Sequence, residues 1–139
     1  MRTLPLFAIF LALPGCSRVY SVRVDVRQGS TPKVALVHRD DLDTLAGPPL
    51  ADARLTLVDR KDLDGKPVVL KTDPRGRLVV GFGSAGPLRV SFPATERLAC
   101  SKDGCHPFQG TLRFLMTPRV EQDQTILVIL QPEQRGRKP

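Results

Sequence analysis

Tryptophan is absent from this sequence and tyrosine occurs once, at position 20. With aromatic residues at 5%, the chain has few flat side chains on which nucleic-acid bases could stack. Histidine occurs only at positions 38 and 106, which leaves little imidazole for general acid–base work. Apolar runs are equally scarce. Leu4 to Leu13 is the longest, about ten residues, or roughly half of what a helix needs to span a bilayer. No run of ten or more residues carries a 3.6-residue period, so no long amphipathic helix is expected. Acidic side chains are in the minority, with 14 Asp and Glu against 21 Lys and Arg, for a net charge of +7. That excess is dispersed, except for Arg135, Arg137 and Lys138. In a cytosolic chain a basic balance would raise nucleic acid as a partner. Here the poverty of aromatics counts against it, and the basic cluster reads either as a solvated tail that keeps the chain soluble or as a counter-charge to anionic surfaces.

Met1 to Gly15 carries the three parts of a secretory signal. Arg2 is the basic region, Leu4 to Leu13 the apolar region, and Pro14-Gly15 the helix-breaking, small-residue cleavage site. Leu13-Pro14-Gly15-Cys16 resembles the lipobox of bacterial lipoproteins, in which Leu, a variable residue and Gly or Ala precede a cysteine. The resemblance implies that residues 1–15 are removed and that Cys16 becomes a lipidated N-terminus, with a diacylglyceryl thioether and an amide-linked acyl chain. Several acyl chains on one residue meet the two-signal requirement for stable anchoring. Ser17 stands where inner-membrane lipoproteins of this kind carry Asp, which implies the outer membrane, facing the periplasm. The plainer alternative is an ordinary cleaved signal that leaves Cys16 a bare thiol.

Beyond Cys16 the dominant pattern has period two, the signature of strands. Val22, Val24 and Val26 alternate with Arg23, Asp25 and Arg27, which predicts a strand with one wet face. Lys33–His38 is a second strand, followed by a polar loop from Asp40 to Pro49. Ala53, Leu55 and Leu57 mark a third, Val68–Thr72 a fourth, and Leu78, Val80 and Phe82 a fifth. A Gly-rich turn leads to Leu88, Val90 and Phe92, then Leu112, Phe114 and Met116 mark another strand. Ile126–Leu130 is apolar on both faces, which suits a central or covered position. Asp73-Pro74-Arg75-Gly76 reads as a compact turn, with a capping Asp, a φ-fixing Pro and a Gly free to take positive φ. The expected layout is a signal peptide over residues 1–15 and a lipidated tether over 16–20. A β-sandwich domain over 21–131 and a basic disordered tail over 132–139 follow. Short strands with turn signals every 8 to 12 residues predict an all-β, antiparallel sandwich of seven to eight strands.

Two segments resemble the carboxypeptidase regulatory-like domain, a prealbumin-like family. They are Pro48-Pro49-Leu50-Ala51-Asp52-Ala53-Arg54-Leu55-Thr56-Leu57 and Leu70-Lys71-Thr72-Asp73-Pro74-Arg75-Gly76-Arg77-Leu78. The resemblance covers roughly residues 33–130 and implies a Greek-key sandwich acting as a non-catalytic structural, adhesive or docking module. Leu78 replaces the family's more usual aromatic residue. The C-terminal Tyr-Arg-Gly-Ser signature of transthyretin-related hydrolases has no counterpart.

Cys100 and Cys105 lie in what reads as a loop between strands, and in an oxidising compartment a disulfide is the first expectation. The adjacent His106 makes Cys-x4-Cys-His, a stretched form of the haem-attachment motif with Met116 as a conceivable axial ligand, or alternatively a soft-metal site. Gly81-Phe82-Gly83-Ser84-Ala85-Gly86 spells G-x-G-x-x-G, but the residues after it alternate like a strand, so a hairpin turn is expected rather than a dinucleotide site. Asp62-x-Asp64-Gly65 resembles half a calcium loop, but Lys71 falls where the bidentate acid belongs. No nucleophile–base pair is evident. The reading is a lipid-anchored, non-catalytic envelope module without metal or cofactor. Its expected partners are the membrane and another envelope protein or an anionic envelope polymer. A small enzyme or carrier built on the Cys100–His106 loop is the alternative.

Overall fold

The computed structural model describes residues 17–85 and 91–134. Eight strands form two four-stranded sheets. In chain order they are β1 (Ser17–Gln28), β2 (Lys33–His38), β3 (Arg54–Lys61), β4 (Pro67–Lys71), β5 (Arg77–Ala85), β6 (Phe92–Ser101), β7 (Phe108–Met116) and β8 (Gln124–Leu130). Two short helices, α1 (Leu42–Leu45) and α2 (Pro118–Asp123), join them. The first sheet runs β2-β8-β1-β5 and the second β4-β3-β6-β7. The all-β sandwich expected from the alternation is therefore present, with one correction. β1 and β8 pair in parallel, from Arg23 opposite Thr125 to Gln28 opposite Leu130, so the first sheet is mixed rather than antiparallel.

The core lies between the sheets. Val22, Val24 and Val26 of β1 face Leu55 and Leu57 of β3 and Leu98 of β6, with Ile126, Val128 and Leu130 of β8 beside them. The opposite face of β1 is not wet. Asp25 is fully buried there. Thr125 Oγ1 lies 2.6 Å from its Oδ2, Arg23 donates Nε to it at 2.7 Å, and Arg77 Nε stands 3.4 Å from Oδ1. A second small cluster, Leu127, Ile129 and Leu42, covers the rest of that face. Leu42 comes from the segment expected to be a polar loop. Arg39–Asp41 forms a 3-10 turn and α1 follows, because Leu42 has an apolar patch to bury.

Further corrections concern boundaries. β1 begins at Ser17 and pairs with Ala85 from its first residue, so the strand takes in residues 17–20 of the expected tether. The Gly81–Ala85 stretch continues β5 instead of turning. Leu88 and Val90 fall outside the described residues, and Phe92 opens β6, a ten-residue strand that the alternation had not revealed. Its inward positions include Glu96, a charge at a core site.

Two local devices hold the sandwich in register. At the Asp73–Gly76 turn, Asp73 Oδ1 accepts the N–H groups of Arg77 at 3.0 Å and Arg75 at 2.8 Å. Those bonds, Arg77's first, hold its carboxyl below the usual carboxylate range. Gly76 takes φ +74°, and a Cβ there would sit 2.7 Å from the Val26 carbonyl oxygen, so only glycine fits. At the other end, Arg60 donates to Glu96 Oε1 at 3.0 Å and stacks 4.5 Å from the Phe82 ring centroid. Removing Arg60 would strand a buried carboxylate. Arg60→Ala is expected to cost about 3 kcal/mol, the low end for breaking a buried pair because Arg60 is itself partly exposed. Urea unfolding checks this, and the double replacement Arg60→Met, Glu96→Leu should recover most of the loss.

Candidate functional site

Strand direction sorts the surface into two ends. The near end holds the start of β1, the end of β5 and helix α2. The far end holds the end of β1, the end of β8 and the hairpin between β6 and β7. β1, with its 12 residues, puts about 36 Å between them at the usual rise per residue.

Three grooves open at or toward the far end. One, of about 270 Å³, is lined by Thr56, Ala99, Cys100, Ser101, Pro107, Phe108 and Gln109. A second, of about 440 Å³, runs between the Gln28–Ser30 and Gln131–Gln134 segments. The third, of about 420 Å³ and strongly polar, is lined by Asp52, Arg54, Lys71, Ser101, Lys102 and Asp103. Its floor follows from register, since Arg54 on β3 lies directly opposite Lys71 on β4 and Ser101 on β6. Both cations are exposed and share one face, an arrangement that costs stability when like charges face each other across strands. Asp52 holds φ +56°, a left-handed conformation that Asp tolerates, and its N–H donates to the Thr72 carbonyl at 3.2 Å.

The two sheets present different outer faces. On the first, arginines are matched to acids: Arg23 and Arg77 to Asp25, and Arg27 Nη1 to Asp43 at 2.9 Å. On the second, Arg97 pairs with Asp59 at 2.5 Å, which holds the Asp59 carboxyl below its usual range through the hydrogen bond to Arg97. Arg54, Lys71, Lys102 and Arg113 make no ion pair among the described residues, although Asp52 and Asp103 line the same groove as the first three. Among the described residues no helix covers this face.

The sequence-predicted residues fare unevenly. Cys16 lies outside the described residues, as do Arg135, Arg137 and Lys138. Cys100 is the penultimate residue of β6 rather than a loop residue, and it points into the core. The expected Cys100–Cys105 disulfide is not formed. Both are free thiols, and both are buried. Cys105 is held instead by its own turn, where its N–H donates to the Lys102 carbonyl at 3.0 Å, and by a β-bridge to Pro132. Burial pushes the Cys100 thiol up to about 12 and raises Cys105 as well, so neither is a ready thiolate at neutral pH.

The parts of the imagined carrier site are dispersed. His106 is exposed, while Met116 is fully buried in the core. Among the described residues no three His, Cys, Asp or Glu side chains converge on a metal-sized site. His38 sits at the near end, its Nδ1 accepting the Asp40 N–H at 3.3 Å as a helix cap. Asp62 caps its own hairpin, taking the N–H groups of Asp64 and Lys66, so the half calcium loop is turn chemistry. The unpaired cations across β3, β4 and β7 were the feature that sequence reading missed. The signal for it was pairing register, which no local pattern carries.

Native protein treated with iodoacetamide at pH 8 is expected to leave Cys100 unmodified, and to alkylate it promptly once unfolded in guanidinium. Peptide mass mapping reads the outcome. Rapid native modification of Cys100 would contradict its burial.

Comparison with known proteins finds no family model, no curated protein and no solved structure that matches this chain.

Proposed function

We propose that this chain is a lipid-anchored protein of the bacterial cell envelope, at the periplasmic face of the outer membrane, whose β-sandwich is a non-catalytic binding or structural module. The observation that carries the reading is Leu13-Pro14-Gly15-Cys16 closing an apolar run, and β1 starts at Ser17, directly after Cys16. An acylated Cys16 would leave the near end of the sandwich flat against the lipid, with almost no slack. The far end and the open face of the second sheet would then point away from the membrane, toward partners. No helix among the described residues is long and apolar enough to cross a membrane, so the acyl chains would bear the attachment.

The finer fold reading, a prealbumin-like Greek-key module of the carboxypeptidase regulatory-like kind, draws support from two places. Leu55 and Leu57, from the first resembling segment, face the core. The Asp73–Gly76 segment forms the compact turn that the second one implies. A module of that kind works by docking rather than by turnover.

The natural product purified from membranes is expected to begin at residue 16 and to carry the mass of at least two acyl chains. Cys16→Ser should shift the protein out of the washed membrane fraction. An unacylated terminus, or a Cys16→Ser protein still firmly membrane-bound, would overturn the anchor.

A further inference from the structure

The outer face of the second sheet combines three features. Among the described residues no helix packs over it, whereas α1 packs over the first sheet. It carries unpaired positive charge at two stations: Arg54 beside Lys71 with Lys102 next to them, and Arg113 on β7. Between them, Thr56, Gln109 and Thr111 share the face by register with exposed Val69 opposite Thr56 and with the Arg97–Asp59 pair. Counting along β6 from Ser101, opposite Arg54, to Thr95, opposite Arg113, puts the two stations about 20 Å apart.

We propose that this face is a docking surface for an anionic polysaccharide, a glycan chain bearing repeated carboxylate or phosphate groups. The inference rests on the binding-module reading above but not on the lipid anchor. Several observations favour a polymer of this chemistry. Arg54 and Lys71 face each other across neighbouring strands, an arrangement that destabilises the sheet unless an anion is brought to it. A second cation about 20 Å away suits an extended chain better than a small anion. The hydroxyl and amide side chains of Thr56, Thr111 and Gln109 match the hydrogen-bonding groups of sugars. Phe108 lines the groove beside Thr56 and Gln109, and one ring gives a nucleic acid no run of stacking platforms. Asp52 and Asp103 at the rim repel polyanion on that side, which would direct the chain across the sheet toward Arg113.

Polygalacturonate serves as the probe, with neutral dextran as control, against the full chain in detergent. Binding to polygalacturonate and not to dextran is expected, weakening roughly tenfold as ionic strength rises from about 0.05 to about 0.3 M. Arg54→Glu with Lys71→Glu should lower affinity about tenfold or more, and Arg113→Glu should lower it as well. Lys33→Glu, on the outer face of the first sheet, should leave it unchanged. The single change Arg54→Glu offers a further check, because it places opposite charges across the strands. Its thermal midpoint should rise while its binding falls, a combination that simple damage to the fold would not produce. Absence of binding at low salt, an equal loss with Lys33→Glu, or a joint fall in midpoint and binding for Arg54→Glu overturns the proposal. Equal affinity for poly-L-glutamate would assign the face to acidic polypeptides and overturn it too. The lipid state of Cys16 affects none of these readings.

Discussion

A carboxylate buried inside a sheet governs the architecture. Asp25 sits fully buried on β1, the strand that crosses the middle of the first sheet. A buried carboxylate is tolerable only if its oxygens are met by donors and cations. Here they come from its own strand through Arg23, from β5 through Arg77, and from β8 through Thr125, a hundred residues away in sequence. Satisfying Asp25 therefore requires β5 and β8 to flank β1 in one register. The parallel β1–β8 pairing is the part of the topology that a simple meander would not produce, and Thr125 bonds across it. Leu127 and Ile129, next along β8, then need cover, which the Leu42 side chain of α1 supplies.

The second sheet solves its charge differently. Glu96 points inward from β6 and is neutralised by Arg60, whose guanidinium also lies over Phe82 of the opposite sheet. That contact joins the sheets at the near end, while the Cys105–Pro132 bridge and the Glu133 N–H bond to the Gly104 carbonyl join them at the far end. Between these clamps the outer face of the second sheet stays open. On one outer face the arginines are thus matched to acids, and the other keeps four cations without an acidic partner among the described residues. An uncompensated face costs stability, and that cost makes sense if something outside the chain completes it.

The free cysteines fit the same picture. Cys100 and Cys105 contribute to the core as small apolar groups, and burial keeps their thiols protonated. Their loop is held by backbone bonds and a glycine at φ +89° rather than by a covalent staple.

Much of this architecture could be read directly from the chain. Alternation located β1, β2, β3, β4, β5 and β7, and the two-faced apolar run of Ile126–Leu130 announced a covered strand. Asp73-Pro74-Arg75-Gly76 announced its turn, because every residue in it acts on its own backbone. The failures share a cause. β6 escaped notice because Glu96 interrupts its inward apolar series, and only Arg60, brought from β3, makes that position tolerable. The polar stripe of β1 looked wet because the partners that bury Asp25 lie elsewhere in the chain. Likewise Arg54, Lys71 and Arg113 are unremarkable basic residues until strand pairing sets them on one uncovered face. Local periodicity and turn chemistry are short-range and survive in one dimension. The sharing of charge between distant strands exists only once those strands are side by side, and tertiary structure alone decided which charges were satisfied and which were left to face outward.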